Sequence, residues 1–182
     1  MAIYSRLGDC GETDLFPWGR IPKTHPLMEA LGTLDELNAA LGVVRAQGLA
    51  LEEDAFLEGC QKTIFRICSQ LSCQNPEAAP WLQSITAEDV TRLEAAIDRL
   101  DAQLPPLARM LCFQGPPAAA FTQLARAVCR RAERGIWKLN AFVLGEREER
   151  NSETGAVAQE ICCWLNRFSD FLFTLGRFLA LK

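Results

Sequence analysis

The sequence predicts an all-α protein, a five-helix antiparallel bundle preceded by an irregular amino-terminal arm. From about residue 28 onward, apolar residues recur three and four positions apart, which is the period of an amphipathic helix. Turn signals divide this pattern into five segments with short connections, and such segments fold most simply as antiparallel neighbours. The first 27 residues contain six glycines and prolines in a polar stretch, which excludes a long helix there.

The first three helices are predicted from short apolar stripes and their boundary signals. The stripe of the first helix consists of Leu34, Leu37, Leu41 and Val44. The stripe of the second, which ends at Asn75-Pro76, consists of Leu57, Cys60, Ile64, Cys68 and Leu71. A third helix is expected to begin at Thr86, because Thr86-x-x-Asp89 resembles a capping box, and to end before Pro105-Pro106. Its apolar face consists of Val90, Leu93, Ile97 and Leu100.

The fourth helix is predicted from Gly115-Pro116-Pro117 to about Leu139, because prolines fit the first turn of a helix. The polar sequence GEREERNSETG is predicted to form a loop. The last helix is predicted from about Glu153 to Ala180, with an apolar face of Val157, Ile161, Leu165, Phe168, Leu172, Leu175 and Leu179. We therefore expect one domain over 1–182, with the arm at 1–27 and the bundle at 28–182.

Composition excludes several classes of protein. The 19 Lys and Arg against 23 Asp and Glu give a net charge of −4, which argues against generic nucleic-acid binding. No apolar run reaches the roughly 18 to 20 residues of a membrane span, and the opening residues are too polar for a signal peptide, so we expect a cytoplasmic protein. The eight cysteines form no C-x-x-C pair and His25 is the sole histidine, which predicts reduced, buried thiols and no ordinary metal centre.

The arm contains a candidate phosphate-binding loop. Its sequence GDCGET, from Gly8 to Thr13, is followed by Arg20, Lys23 and Thr24. Glycines allow backbone N–H groups to turn toward an anion while the other side chains add donors, although no Walker A lysine follows the glycines. The alternatives are a plain turn or a disordered tail. The latter is disfavoured by an apolar set of Ile3, Tyr4, Leu15, Phe16 and Trp18.

The fourth helix carries a dense cationic cluster in an acidic protein. The cluster consists of Arg126, Arg130, Arg131, Arg134 and Lys138, against a single acid, Glu133. Arg126, Arg130 and Arg134 lie four residues apart and share one helical face, so several guanidiniums can bind one ligand. Guanidinium groups suit phosphate oxygens, which predicts a polyphosphate ligand. The alternative is a solvated face with intrahelical ion pairs.

Polar residues also interrupt the apolar stripes of the first and last helices. They are Asp35, Glu36, Asn38, Asn166, Arg167 and Asp170. Embedded polar residues need partners, which the arginines of the fourth helix would supply. These pairs would serve packing alone, or would also line a ligand site.

Three segments together resemble the PduO-type ATP:cob(I)alamin adenosyltransferases, in the family's order and spacing over essentially the whole chain. They are YSRLGDCGETDLF…GRIPKTHPLMEALGTLDELNAALG, ARAVCRRAERGIWKL and WLNRFSDFLFTLGR. The combination of DELN, RRAER and NR-x-SD is specific. The resemblance implies a ferritin-like five-helix bundle that forms a homotrimer, with ATP sites between subunits. It further implies transfer of the 5′-deoxyadenosyl group from ATP, bound with Mg²⁺, to a cob(I)alamin or other Co(I) corrinoid, with a reductase and an adenosylcobalamin-dependent enzyme as partners.

The resemblance also assigns roles to residues. The implied ATP-binding set is Ser5, Gly8, Asp9, Gly11, Thr13, Arg20, Lys23, Arg130, Glu133 and Asn166. Glu133 would also lie near the Mg²⁺. The implied catalytic residues are Arg130, Asp35 and Arg126, the last two pairing across the subunit interface. The implied corrinoid-binding residues are Met110, Phe113 and Asp35.

The sequence departs from the family pattern in the loop and at the corrinoid wall. Leu7 replaces a threonine and Cys10 replaces a lysine, which removes one hydroxyl and one cation from the phosphate site. Met110 replaces a phenylalanine that helps to expel the lower axial ligand of cobalt, and Phe113 is a nearby substitute. An active adenosyltransferase with altered substrate handling is the leading hypothesis. The alternatives are a non-catalytic relative that binds a corrinoid or nucleotide as an escort or sensor, and a purely structural bundle.

Overall fold

A computed structural model describes residues 4, 6–15, 19–73, 81–108, 111–112, 114–150 and 159–181, with side chains described up to residue 143 in the fourth helix. Within these residues the chain forms five helices: α1 (Pro26–Arg45), α2 (Leu51–Ser72), α3 (Ala87–Asp101), α4 (Pro117–Arg150) and α5 (Gln159–Leu179). The predicted all-α, five-helix fold is confirmed. None of the helices in these ranges combines the length and apolar character needed to cross a membrane.

Consecutive helices run in opposite directions, and side-chain contacts define their neighbours. The start of α1 meets the far end of α4, where the rings of His25 and Phe142 lie 5.2 Å apart. The α5 helix runs parallel to α3, because Arg167 binds Glu94 near their starts and Arg177 binds Asp101 near their ends. Five alternating helices cannot close a ring without one parallel pair, which explains this exception to the antiparallel prediction.

The core lies where the five apolar faces meet. The stripe of α1 is completely buried, and Trp164 stacks on Phe168 with ring centroids 4.8 Å apart. Some predicted core positions are only partly buried, namely Cys68, Val90 and Ile97. These three residues lie at the edges of their stripes. The periodic pattern therefore predicted correctly which side of each helix is buried, but it overestimated how wide the buried face is.

The arm contains a short regular hairpin that the sequence analysis did not predict. Residues Glu12–Leu15 (β1) and Gly19–Pro22 (β2) form an antiparallel two-stranded sheet in which Thr13 faces Ile21. The expectation of an irregular arm was therefore wrong over these eight residues. Ile21 is buried and Leu15 packs on the core, which anchors the hairpin to the bundle. Neither ETDL nor GRIP alternates strictly between polar and apolar residues, so the sequence carries no clear strand signal there.

The α4 helix is longer than predicted. Its backbone continues past Leu139 to Arg150, so the loop prediction was wrong for residues 145–150. Glutamate and arginine are good helix formers, and the sequence GEREER contains one glycine as its sole unfavourable residue. High polarity alone therefore does not distinguish a loop from a helix in this segment. Residues 151–158, which include the predicted start of the last helix at Glu153, lie outside the described residues.

The capping box at the start of α3 is confirmed, and its acid also binds α2. Asp89 accepts a hydrogen bond from the Thr86 backbone N–H at 3.0 Å and two from the Arg66 guanidinium at 2.9 and 3.1 Å. Burial alone would raise the pKa of Asp89, but hydrogen bonds from Arg66 and Thr86 outweigh burial and hold this pKa below its ordinary value. The carboxylate therefore joins the start of α3 to α2.

We expect Asp89→Ala to lower the free energy of unfolding by about 1 to 3 kcal/mol at pH 7, because it removes the carboxylate of the capping box and its ion pair with Arg66. A group with a lowered pKa stabilises the fold above its unfolded value near 4, and this contribution disappears as the pH falls through the folded value. Urea unfolding at pH 7 and pH 3 measures the difference. Glu88→Ala, an exposed acid in the same turn, is the control, and equal losses in both variants would contradict the prediction.

Candidate active site

The glycine-rich turn of the arm closes on Lys23. The Lys23 backbone N–H donates to the Gly11 carbonyl at 2.8 Å, and Gly11 has a φ of +82°, a conformation that favours glycine. A Cβ atom at Gly8 would lie 3.1 Å from Lys23 Nζ and 3.3 Å from a backbone oxygen. The sequence thus requires two glycines to bring the turn against an ammonium group. Asp9 is exposed on this turn, and Thr13 follows it on β1.

Arg20 has protein partners within the hairpin. Its Nε donates to Glu12 at 3.1 Å, its Nη2 donates to the Leu7 carbonyl at 2.7 Å, and Asp14 lies 3.6 Å away. These contacts hold the turn against β2. The predicted phosphate-binding role of Arg20 stays a prediction, and Lys23 is the cation that lies beside the glycines.

The polar face of α4 groups three of the predicted residues with one from α5. Arg126 is half-buried, Arg130 is exposed one turn further on, and Glu133 follows. Asn166 of α5 donates to Glu133 Oε1 at 3.2 Å. This interaction joins a carboxylate and an amide, and Glu133 lies three positions after Arg130 on the same side of α4, so this face carries both donors and acceptors for a ligand.

The partners of the embedded polar residues were predicted only in part. Glu36 pairs with Arg131 of α4, as expected. Asn166 instead meets an acid of α4, and Arg167 binds Glu94 of α3 at 2.9 Å. Expecting arginine partners for the α5 residues was wrong, because α5 packs between α3 and α4. Asp35 is exposed on α1, and the structure gives it no hydrogen bond or ion pair within the described residues.

An aromatic ring that the sequence analysis missed lies beside these residues. Phe173 of α5 is flanked by the guanidiniums of Arg126 and Arg177, 5.3 and 5.9 Å from its ring centre. Arg177 also lines an apolar pocket of about 310 Å³ between the α3–α4 connection, the start of α4 and the end of α5. Representative lining residues are Leu104, Leu107, Leu111, Ala119, Gln123 and Ala180. No signal in the sequence predicted that Phe173 would contact these two guanidiniums.

The turn beside Lys23 and the polar face of α4 are not bonded to each other. Across the described residues, no hydrogen bond or ion pair joins Gly8, Gly11 or Lys23 to Arg130, Glu133 or Asn166. Both groups are made of residue types that bind phosphate.

The family model described as cobalamin adenosyltransferase matches residues 3–179. The chain belongs to the cobalamin adenosyltransferase family. It is 37% identical over 177 residues to corrinoid adenosyltransferase PduO of Salmonella typhimurium, which covers 97% of this chain and 49% of that protein. It is 34% identical to human corrinoid adenosyltransferase MMAB, which covers 99% of this chain and 69% of the relative. The chain spans about half the length of the PduO relatives that it matches.

The fold of this family member is also similar to solved structures. A variant of a PduO-type ATP:corrinoid adenosyltransferase from Lactobacillus reuteri, complexed with cobalamin and ATP, superposes with a TM-score of 0.81. The two chains are 25% identical, and the match covers 99% of this chain and 91% of the other. The predicted family is therefore confirmed by both sequence and fold.

Several residues assigned through the family resemblance lie outside the described residues. They are Ser5, Met110 and Phe113. Their predicted roles in binding ATP and the corrinoid stay predictions. Segment 104–114, which contains Met110 and Phe113, contributes several described residues to the wall of the apolar pocket.

The eight cysteines of this family member differ in burial. Cys60, Cys129 and Cys162 are buried, whereas Cys10, Cys112 and Cys163 are exposed, so the prediction of buried thiols was too broad. Burial, with a smaller effect of Glu133, raises the pKa of Cys162 to about 11, which keeps it protonated. Among the described residues, no group of three His, Cys, Asp or Glu side chains is placed to hold a metal ion.

Proposed function

We propose that this protein transfers the 5′-deoxyadenosyl group of ATP to a Co(I) corrinoid and releases triphosphate. The observation that carries the proposal is the group formed by Arg130, Glu133 and Asn166 on the α4–α5 face, in a chain that is a member of the cobalamin adenosyltransferase family. Relatives that are 34 to 37% identical are named corrinoid adenosyltransferases, which supports the same activity here.

The proposed reaction is a displacement at carbon. The Co(I) centre supplies both electrons of the new cobalt–carbon bond at the 5′ carbon, and the carbon–oxygen bond breaks with its electron pair leaving on triphosphate. No proton moves, so the protein needs no general base. Its tasks are to align the two reactants and to neutralise charge on the leaving group. Arg130 and Lys23 would supply that charge, together with Mg²⁺ that enters with ATP near Glu133.

We propose that the working form is a homotrimer with active sites between subunits. Within one chain the glycine turn and the α4 face are not joined, and the family resemblance implies that neighbouring subunits combine them. The exposed carboxylate of Asp35 is available to pair with Arg126 of a second copy. The apolar pocket beside segment 104–114 supports placing the corrinoid near that segment. A reductase that supplies Co(I) and an enzyme that uses the product would be partners, in the cytoplasm.

An anaerobic assay with cob(I)alamin and ATP tests the activity. We expect adenosylcobalamin to form, with one triphosphate released per corrinoid. The absorbance change of the corrinoid monitors the reaction. Binding of ATP or corrinoid without product would instead establish the escort or sensor alternative. That alternative is favoured by one observation, the exposed thiol of Cys10 where the family carries a lysine.

We expect Cys10→Lys to tighten ATP binding, because it adds an ammonium to the turn that already holds Lys23. A charge-assisted hydrogen bond contributes roughly 1.5 to 3 kcal/mol, which corresponds to about a 10- to 150-fold lower dissociation constant. Calorimetric titration of ATP into both forms measures the change. Cys112→Lys adds the same charge at another exposed thiol and is the matched control. Equal affinities in all three proteins would show that the cations already present suffice.

A further inference from the structure

Trp137 extends the polar face of α4 with an exposed aromatic ring. Its side chain is 50% exposed, although tryptophan is one of the most apolar residues. Trp137 lies seven positions after Arg130, which is nearly two full helical turns, so the two side chains leave α4 in almost the same direction. The same spacing places their Cα atoms about 10 Å apart along the helix. The indole therefore continues the line of Arg126 and Arg130.

The residues between these two side chains leave the indole accessible. Arg134 Nη1 donates to the Arg130 backbone carbonyl at 2.8 Å, so its guanidinium folds back toward the start of α4. Glu133 is held by Asn166 on the α5 side. Within the described residues, no aromatic ring or cation stacks on the Trp137 indole. The ring offers an open face at the end of a row of cationic and hydrogen-bonding side chains.

A planar aromatic group joined to an anion has the chemistry that fits this row. Indole rings stack on nucleobases, and guanidiniums bind phosphate oxygens. Trp137 and Arg130 lie about 10 Å apart along the same side of α4, so one ligand with a ring at one end and phosphates at the other can contact both side chains. We propose that Trp137 stacks on the adenine of the nucleotide whose phosphates Arg130 binds. This inference rests on the proposed function and names a base-binding residue for it.

The test distinguishes binding of the base from binding of the phosphates by using two ligands, one with a base and one without. Calorimetry measures binding of ATP and of inorganic tripolyphosphate to the wild type, Trp137→Ala, Trp137→Phe and Trp81→Ala. Trp81 is 75% exposed in the α2–α3 connection, so it is the matched control. We expect Trp137→Ala to weaken ATP binding roughly 5- to 150-fold, the range of one base stack, with tripolyphosphate unchanged. Trp137→Phe should recover part of the loss, and Trp81→Ala should bind both ligands normally.

Each other outcome overturns the inference. Unchanged ATP affinity in Trp137→Ala would exclude stacking. Equal weakening of ATP and tripolyphosphate, or a changed assembly state in size-exclusion chromatography, would assign Trp137 a structural or interface role. Because the experiment measures binding, its result does not depend on turnover. If the wild type binds ATP through Trp137 but makes no adenosylcobalamin, the proposed function is refuted and the stacking of Trp137 on adenine is upheld. A wild type that does not bind ATP would refute both.

Discussion

Arg130→Ala is expected to reduce adenosyl transfer by at least about a hundredfold while leaving the fold intact. Removing one preorganised group that stabilises developing charge typically costs two to three orders of magnitude in rate. Arg130 is exposed on α4 and makes no ion pair within the described residues, so its loss should not change packing. The assay with cob(I)alamin and ATP measures the rate, and urea unfolding measures the free energy of unfolding, which should stay within about 0.5 kcal/mol of wild type.

Two further variants make the result specific to Arg130. Arg92→Ala removes an equally exposed arginine from α3 and should leave the rate unchanged. Arg130→Lys keeps the charge but loses the two-pronged donor geometry, so it should recover part of the activity. A near-normal rate in Arg130→Ala, or a similar loss in Arg92→Ala, would remove Arg130 from the active site.

The helices could be predicted because their burial is periodic. Leu34, Leu37 and Leu41 recur every three or four residues, and all three are fully buried. The start of α3 could be predicted because Thr86 and Asp89 form a local hydrogen bond that needs no tertiary partner. Signals of both kinds lie within a few consecutive residues, and for that reason sequence alone revealed them.

Features that depend on distant residues were predicted less well. The hairpin of the arm owes its stability to burial of Ile21 on the bundle and to Arg20 bridging β1, contacts that no local pattern encodes. The extension of α4 to Arg150 was not predicted, because a polar sequence is compatible with both a helix and a loop. Helix propensity, rather than polarity, distinguishes the two in this segment.

In the candidate site, residue types were predictable and their partners were not. The density of arginines on α4 predicted a polyphosphate ligand for the cluster as a whole, and the family resemblance singled out Arg130 within it. That Asn166 would bind Glu133, and that Phe173 would lie between two guanidiniums, depends on which face of α5 packs on α4. A one-dimensional pattern indicates that a face exists but does not determine the rotation of one helix against another.

Asp35→Asn is expected to weaken the proposed trimer and its activity. Asp35 is exposed in the single chain, and Arg126 is half-buried beside Phe173, so a pair formed between subunits would remove both charges from water. Removing one member of a fully buried pair costs on the order of 3 to 5 kcal/mol, because the other charge remains without compensation. Sedimentation equilibrium measures the assembly, and the corrinoid assay measures the rate.

The neighbouring acid provides the control. Glu36 pairs with Arg131 of its own chain at an exposed site, so Glu36→Gln should leave assembly nearly unchanged. A double-mutant cycle of Asp35→Asn with Arg126→Met then isolates the proposed pair. If the two residues interact across the interface, the double variant should lose much less than the sum of the single losses. Strictly additive losses in the free energy of assembly would show that Asp35 and Arg126 do not interact. Asp35 would then be a solvent-exposed carboxylate with no role in the interface.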